Sequence, residues 1–129
     1  MDQNNSTNKV EVKKEYRADG SIMRKTPYVN GKIHGTDEWF YESGALWVEI
    51  PYVTGKRHGL EKNYFESGAL CVETPYVNGG IHGIEKFYYE SGSLKREIPF
   101  MDGERHGVVK IYDESGALLA EDGVNKGEI

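Results

Sequence analysis

One cysteine, four prolines and no apolar run of membrane-spanning length are all that the 129 residues offer where many folds need more. A lone Cys71 excludes an intrachain disulfide, and with it the disulfide-stapled class of small secreted scaffolds. The opening MDQNNSTNK is polar with no apolar stretch behind it, the pattern of neither a signal peptide nor a transmembrane helix, so a cytoplasmic location is expected. Clustered Lys and Arg are missing too. With 16 Lys and Arg against 21 Asp and Glu the net charge is −5, which argues against nucleic acid and makes an anionic membrane a poor partner. Only 37% of the residues are hydrophobic and 29% are charged, too little apolar material to fill a thick two-layer core. An architecture with little interior is favoured.

Glycine, by contrast, is plentiful at 16, and 9 Tyr, 4 Phe and 2 Trp suit turns and pleated surfaces better than helices. Their placement is periodic. His34, His58, His82 and His106 recur every 24 residues, as do Pro27, Pro51, Pro75 and Pro99. Leu46, Leu70, Leu94 and Leu118 keep the same step, and so do Glu49, Glu73, Glu97 and Glu121. About five units are present, with atypical or truncated ends, as repeat arrays usually have. The polar residues 1–9 read as a disordered tail and 10–129 as the array.

Each unit holds two turn signals. One is Asn-Gly or Asp-Gly, with Gly31, Gly79 and Gly103, a dipeptide suited to the type I′ hairpin because both central residues need positive φ. Thr54-Gly55 is the weak copy, since a β-branched residue resists positive φ. The other signal is Ser-Gly, at Gly44, Gly68, Gly92 and Gly116 (Asp19-Gly20 in the first unit), read either as a two-residue loop or as a three-residue loop with a left-handed glycine. Two strands and two turns per unit predict an all-β fold: an elongated antiparallel meander of tandem hairpins with roughly ten strands. The two-residue reading sets Lys62 opposite Glu73, Lys86 opposite Glu97 and Lys110 opposite Glu121, while Glu38 meets Glu49. It also gathers Trp39, Tyr41, Leu46, Val48, Ile50, Phe65, Leu70, Val72, Phe87, Tyr89, Leu94 and Ile98 on one apolar face. Proline cannot donate to a ladder, so the sheet is expected to kink or open once per unit, where Pro51 lies opposite His58 and beside Gly59.

The histidines invite a metal, but equivalent positions lie two strands apart, about 9 to 10 Å, whereas zinc ligands sit ~2.1 Å from their ion. His-Gly reads as a structural corner, its ring on the proline and a ring nitrogen bonded to a turn carbonyl. Cys71 shares its slot with Trp47, Lys95 and Leu119, a half-exposed sheet position and no place for a nucleophile. The glutamate column reads as lysine partners rather than as a calcium site. No catalytic group, metal or cofactor is implied. Phe40, Tyr64, Tyr88 and Tyr112 recur in register as an aromatic row; either it stacks to stabilise the sheet or it stays exposed as a binding platform, and these four are the candidate binding residues.

With YESGAL, PYVNGK and RHG at a fixed period, residues 10 to 129 resemble MORN repeats, and more narrowly the bacterial MORN-variant repeats known as YwqK-type antitoxins. The resemblance implies a single-sheet β-meander without enzymatic activity that binds a protein partner, a cognate toxin in its most specific form. Carbohydrate binding on the aromatic rows and membrane-lipid association are the alternative expectations, and the open edge strands could pair into a homodimer. Replacing Asn78-Gly79 by Val-Val is expected to lower the urea unfolding midpoint, followed by circular dichroism, well beyond the effect of His82→Ala.

Overall fold

The computed structural model describes residues 8–124, which form one open antiparallel sheet. Residues 1–7 of the expected tail and residues 125–129 of the expected array lie outside the described residues. In chain order the strands are β1 (Val10–Tyr16), β2 (Ile22–Val29), β3 (Lys32–Ile33), β4 (Gly35–Phe40), β5 (Leu46–Val53), β6 (Lys56–Arg57) and β7 (Gly59–Tyr64). They continue as β8 (Leu70–Val77), β9 (Gly80–Ile81), β10 (Gly83–Tyr88), β11 (Leu94–Met101), β12 (Glu104–Arg105), β13 (Gly107–Tyr112) and β14 (Leu118–Val124). The ten long strands pair strictly in sequence order, and each two-residue strand folds back on the long strand before it.

The Asx-Gly turns behave as their chemistry requires. Asn30, Asn78 and Asp102 have φ of 51°, 48° and 52°, each followed by a glycine at positive φ. Thr54 adopts φ 46° despite its branched side chain. Its neighbours hold it there: the Thr54 N–H donates to His34 Nδ1 at 3.0 Å and the Gly55 N–H to the Ile33 carbonyl at 2.8 Å. Local strain is thus offset by contacts reaching in from the preceding unit.

At the other turn the three-residue loop forms. The Phe65 carbonyl accepts from the Gly68 N–H at 2.8 Å, the Phe65 N–H donates to Ala69, and Gly68 sits at φ 97°. Beyond it the register shifts between Asn63 and Tyr64, leaving Cys71 as a bulge residue, after which Lys62 faces Glu73 as the charge pattern predicts. The same bulge falls on Met23, Trp47, Lys95 and Leu119. One expectation is overturned as a result. Leu46, Leu70 and Leu94 stand opposite Phe40, Tyr64 and Tyr88 and share their face, not that of Val48 and Ile98, because the extra residue reverses the pleat over one step.

All six buried residues among those described, Thr26, Asp37, Val48, Ile50, Thr74 and Ile98, lie on the other face, here called the packed face. With no second layer above them, cover comes from long neighbours. The Arg24 guanidinium lies 4.4 Å from the Trp39 ring centroid and that of Arg96 4.3 Å from Phe87, each pair directly cross-strand.

The proline corner opens the ladder as expected. Between the pairs Tyr28↔Ile33 and Lys25↔Glu38, residues 34–37 on one strand oppose only 26–27 on the other. The His34 N–H still reaches the Pro27 carbonyl at 3.1 Å, and Gly35 follows at φ 113° with its α-carbon against the proline ring. A Cβ on Gly83 would stand 3.0 Å from Pro75 Cγ, whereas one on Gly92 would meet nothing within 4 Å, though both have positive φ. Gly83→Ala is expected to lose stability by about 1–3 kcal/mol more than the strain of positive φ alone. Gly92→Ala shows that strain by itself, and urea unfolding of the two variants measures the difference.

Candidate functional site

The face opposite the packed one, the open face, carries three bands that run across the strands. In the middle lies a row of charge read strand by strand as Lys14, Lys25, Glu38, Glu49, Lys62, Glu73, Lys86, Glu97, Lys110 and Glu121. Even the mismatched Glu38 and Glu49 are flanked, by Lys25 on one side and Lys62 on the other. The register is the expected one, but no Lys and Glu of this row close to ion-pair distance. The carboxylates are taken by tyrosine instead. Tyr64, Tyr88 and Tyr112 donate their hydroxyls to Glu49, Glu73 and Glu97 at 2.7, 2.7 and 3.0 Å, each reaching back to the preceding hairpin.

The candidate row Phe40, Tyr64, Tyr88 and Tyr112 is half-buried, and the three tyrosine hydroxyls are committed between units. Phe40 has no hydroxyl to commit and carries Lys25 Nζ 5.5 Å from its ring centroid. Tyrosines of the packed face add a second set of ties. Tyr41 and Tyr89 donate to the carbonyls of Tyr64 and Tyr112 at 2.6 and 2.8 Å, and Arg17 makes the corresponding bond to Phe40 in the first unit.

Toward the Asx-Gly turns the open face becomes apolar. Leu60 stands opposite Pro75 and Ile84 opposite Pro99, with Val108 next in register. Val53, Val77 and Met101 extend the band one step outward, and these six side chains are between 42 and 47% exposed. The band was missed in the sequence, although Leu60, Ile84 and Val108 follow three of the four His-Gly corners at the 24-residue step, Thr36 following the first, and could have been found by it.

The histidine corner differs from expectation in one bond. Nδ1 of His34, His58 and His82 accepts the backbone N–H of Thr54, Asn78 and Asp102 at 3.0, 3.1 and 3.4 Å, so each ring bonds the turn of the following unit through its N–H and not through a carbonyl. The ring nitrogen is the acceptor because the turn presents its free N–H outward. Among the described residues no three His, Cys, Asp or Glu side chains group together as a metal would need. Cys71 is half-buried and burial pushes its thiol up, away from the reactive thiolate.

The profile of the MORN repeat variant matches residues 33–54, 57–78, 81–102 and 105–122, more than half of the chain. The chain belongs to that family. Each full match opens next to a His-Gly corner, runs through the following hairpin and closes at the next Asx-Gly or Thr-Gly turn, so the MORN repeat variant is here one corner plus one hairpin. MORN repeats are in general non-catalytic modules for protein or membrane-lipid interaction. No curated protein sequence matches the chain.

The Tyr and Glu ties make the array sensitive to alkali. Tyr64 and Tyr88 are both pushed up from 10.0 to about 12, first by burial and then by the glutamate that accepts their proton. A proton held more tightly in the folded chain contributes stability that is whole below the ordinary tyrosine value and is lost as pH rises toward the folded one. The unfolding midpoint is expected to fall between pH 10 and about 12, and the double variant Tyr64→Phe/Tyr88→Phe to show a shallower fall over that window, followed by urea titration at each pH.

Proposed function

We propose that the chain is a non-enzymatic scaffold that binds a protein partner on its open face, in its most specific form neutralising a cognate toxin. The observation that carries this reading is the exposed apolar band of Leu60, Ile84, Val108, Val53, Val77 and Met101, which recurs unit by unit from β5 to β13 and is bordered by the charged row. Contiguous apolar surface rimmed by polar side chains marks an interaction site, and a flat sheet face offers it to another folded surface. The aromatic row Phe40, Tyr64, Tyr88 and Tyr112 lies beyond the charged row on the same face and would form the far rim of the footprint. A net charge of −5 favours a basic partner, as a nuclease or deaminase toxin would be. Membrane lipid fits less well, since the middle of this face alternates lysine with glutamate where an anionic surface calls for cations alone.

Leu60→Lys/Ile84→Lys places two charges in the band at exposed positions. Affinity capture from the source organism with the unaltered chain is expected to return a protein whose toxicity on expression is suppressed by the unaltered chain and not by the double variant. Equal capture and suppression by both chains, or recovery of the chain with anionic liposomes on flotation, overturns the reading.

A further inference from the structure

The packed face carries one irregularity that the repeat does not. Three successive units place an acid at the same position, Asp37, Glu61 and Glu85. Asp37 is fully buried and saturated, accepting from Arg24 Nε and Nη2, Thr26 Oγ1 and Trp39 Nε1 at 3.0, 2.9, 2.8 and 3.2 Å. Glu85 accepts from Thr74 Oγ1 at 2.9 Å. The hydroxyl that serves each of these acids comes eleven residues earlier, and before Glu61 that position holds Ile50. Glu61 Oε1 is consequently buried without a hydrogen-bond donor. Its charged partner is Arg57, whose Nη1 forms an ion pair with it at 3.4 Å and also donates to the Tyr76 hydroxyl at 3.0 Å, so the oxygen has a neighbouring cation but no hydrogen bond.

Around this carboxylate lies an apolar depression of about 290 Å³, lined by Trp39, Trp47, Val48, Ile50, Glu61 and Asn63. Both tryptophans of the chain meet there. Trp47 occupies the bulge position on β5, is 41% exposed and is braced by Tyr41 at 5.5 Å between ring centroids. Trp39 is fixed by its bond to Asp37 and by Arg24 against its ring. A carboxylate that lacks a hydrogen-bond donor at one buried oxygen, beside apolar walls and two indoles, is complementary to an alkyl stem that ends in a cation: the stem covers the apolar wall, the indole faces attract the charge, and the ammonium donates to the carboxylate.

We propose that this depression binds a lysine side chain presented by a partner protein, with its stem against Ile50 and Val48, its ammonium at Glu61 and Trp47 as the outer wall. Burial pushes Glu61 up, opposed by Arg57 and reinforced by Glu85, and an arriving ammonium would relieve that burden. The site lies on the face opposite the apolar band, and its occupancy is independent of the band's partner.

The two tryptophan indole N–H signals in a nitrogen-15 correlation spectrum report on the site alone, since the chain has only Trp39 and Trp47. Nα-acetyl-lysine methylamide is the probe, and Nα-acetyl-norleucine methylamide is the control with the same stem and no ammonium. The lysine compound is expected to shift both signals to saturation, with the norleucine compound and the Glu61→Gln variant each weaker by about tenfold or more. Ile50→Thr supplies the hydroxyl that Thr26 and Thr74 supply elsewhere, and is expected to weaken the lysine compound as well. It also serves as the test should Glu61→Gln not fold. Equal titration by the norleucine compound, or unchanged lysine affinity in whichever of the two variants folds, overturns the proposal; neither result bears on the apolar band.

Discussion

Every unit turns on the contact between a proline that cannot donate to a ladder and a glycine that has no Cβ to keep the two strands apart. Pro27, Pro51, Pro75 and Pro99 lie with Cγ 3.0 to 3.2 Å from where a Cβ would stand on Gly35, Gly59, Gly83 and Gly107. The glycines reach this approach only at φ between 94° and 122°, a region closed to most L-residues. The consequence is mechanical. The ladder opens, two extra residues leave the pairing, and the strand resumes beside its neighbour with a new register. The short strands left behind become docking points for the next unit: Ile33, Arg57 and Ile81 each accept a backbone N–H from the next turn, and the histidine beside each of them accepts another.

A sheet with one layer cannot rely on burial alone. Val48, Ile50 and Ile98 are the buried apolar side chains among the described residues, too few to set against the ordering of more than a hundred. Cohesion therefore depends on ties of fixed length between consecutive units, each repeated: histidine to turn, tyrosine hydroxyl to glutamate, tyrosine hydroxyl to backbone. Each tie is modest, about 0.5–1.5 kcal/mol for a neutral hydrogen bond and more where the acceptor is charged. Their number grows with the number of units, which is the reason a hairpin of this kind is written several times over.

Much of this was legible because some conformations accept few residue types. Asn30-Gly31 and Asp102-Gly103 announce a turn that needs two positive φ angles, and the 24-residue step announces neighbours without any assumption about contacts. The Lys62 and Glu73 register was legible for a different reason. The three-residue loop shifts the pairing by one and the bulge at Cys71 shifts it back, so a reading with neither feature gives the same partners over most of the strand. Only Leu46, Leu70 and Leu94, between loop and bulge, betray the difference. The bulge itself left no trace, since a slot filled by Trp47, Cys71, Lys95 and Leu119 shows no shared chemistry. The tyrosine and glutamate bonds were hidden because lysine is the nearer charge in register; direction and reach decide the partner, and only the structure supplies those.

Repetition then separates what holds the array from what it can recognise. A position identical in every unit is explained by the joint it makes, and Pro75, Gly83 and His82 need no further account. A position that breaks the pattern without weakening a joint is different. Ile50 removes a hydroxyl that a neighbouring acid uses in the units before and after, at a site where both tryptophans gather. If packing alone were at stake, the cheaper arrangement would follow Ile50 with an apolar residue, as Ile98 is followed by Val109 at the same spacing in the last full unit. Keeping the acid while losing its hydroxyl leaves Glu61 Oε1 with the Arg57 cation at 3.4 Å but no hydrogen bond, where the acids before and after it each have one. An acid left short of a donor in this way is open to one brought from outside the scaffold, which the saturated Asp37 is not.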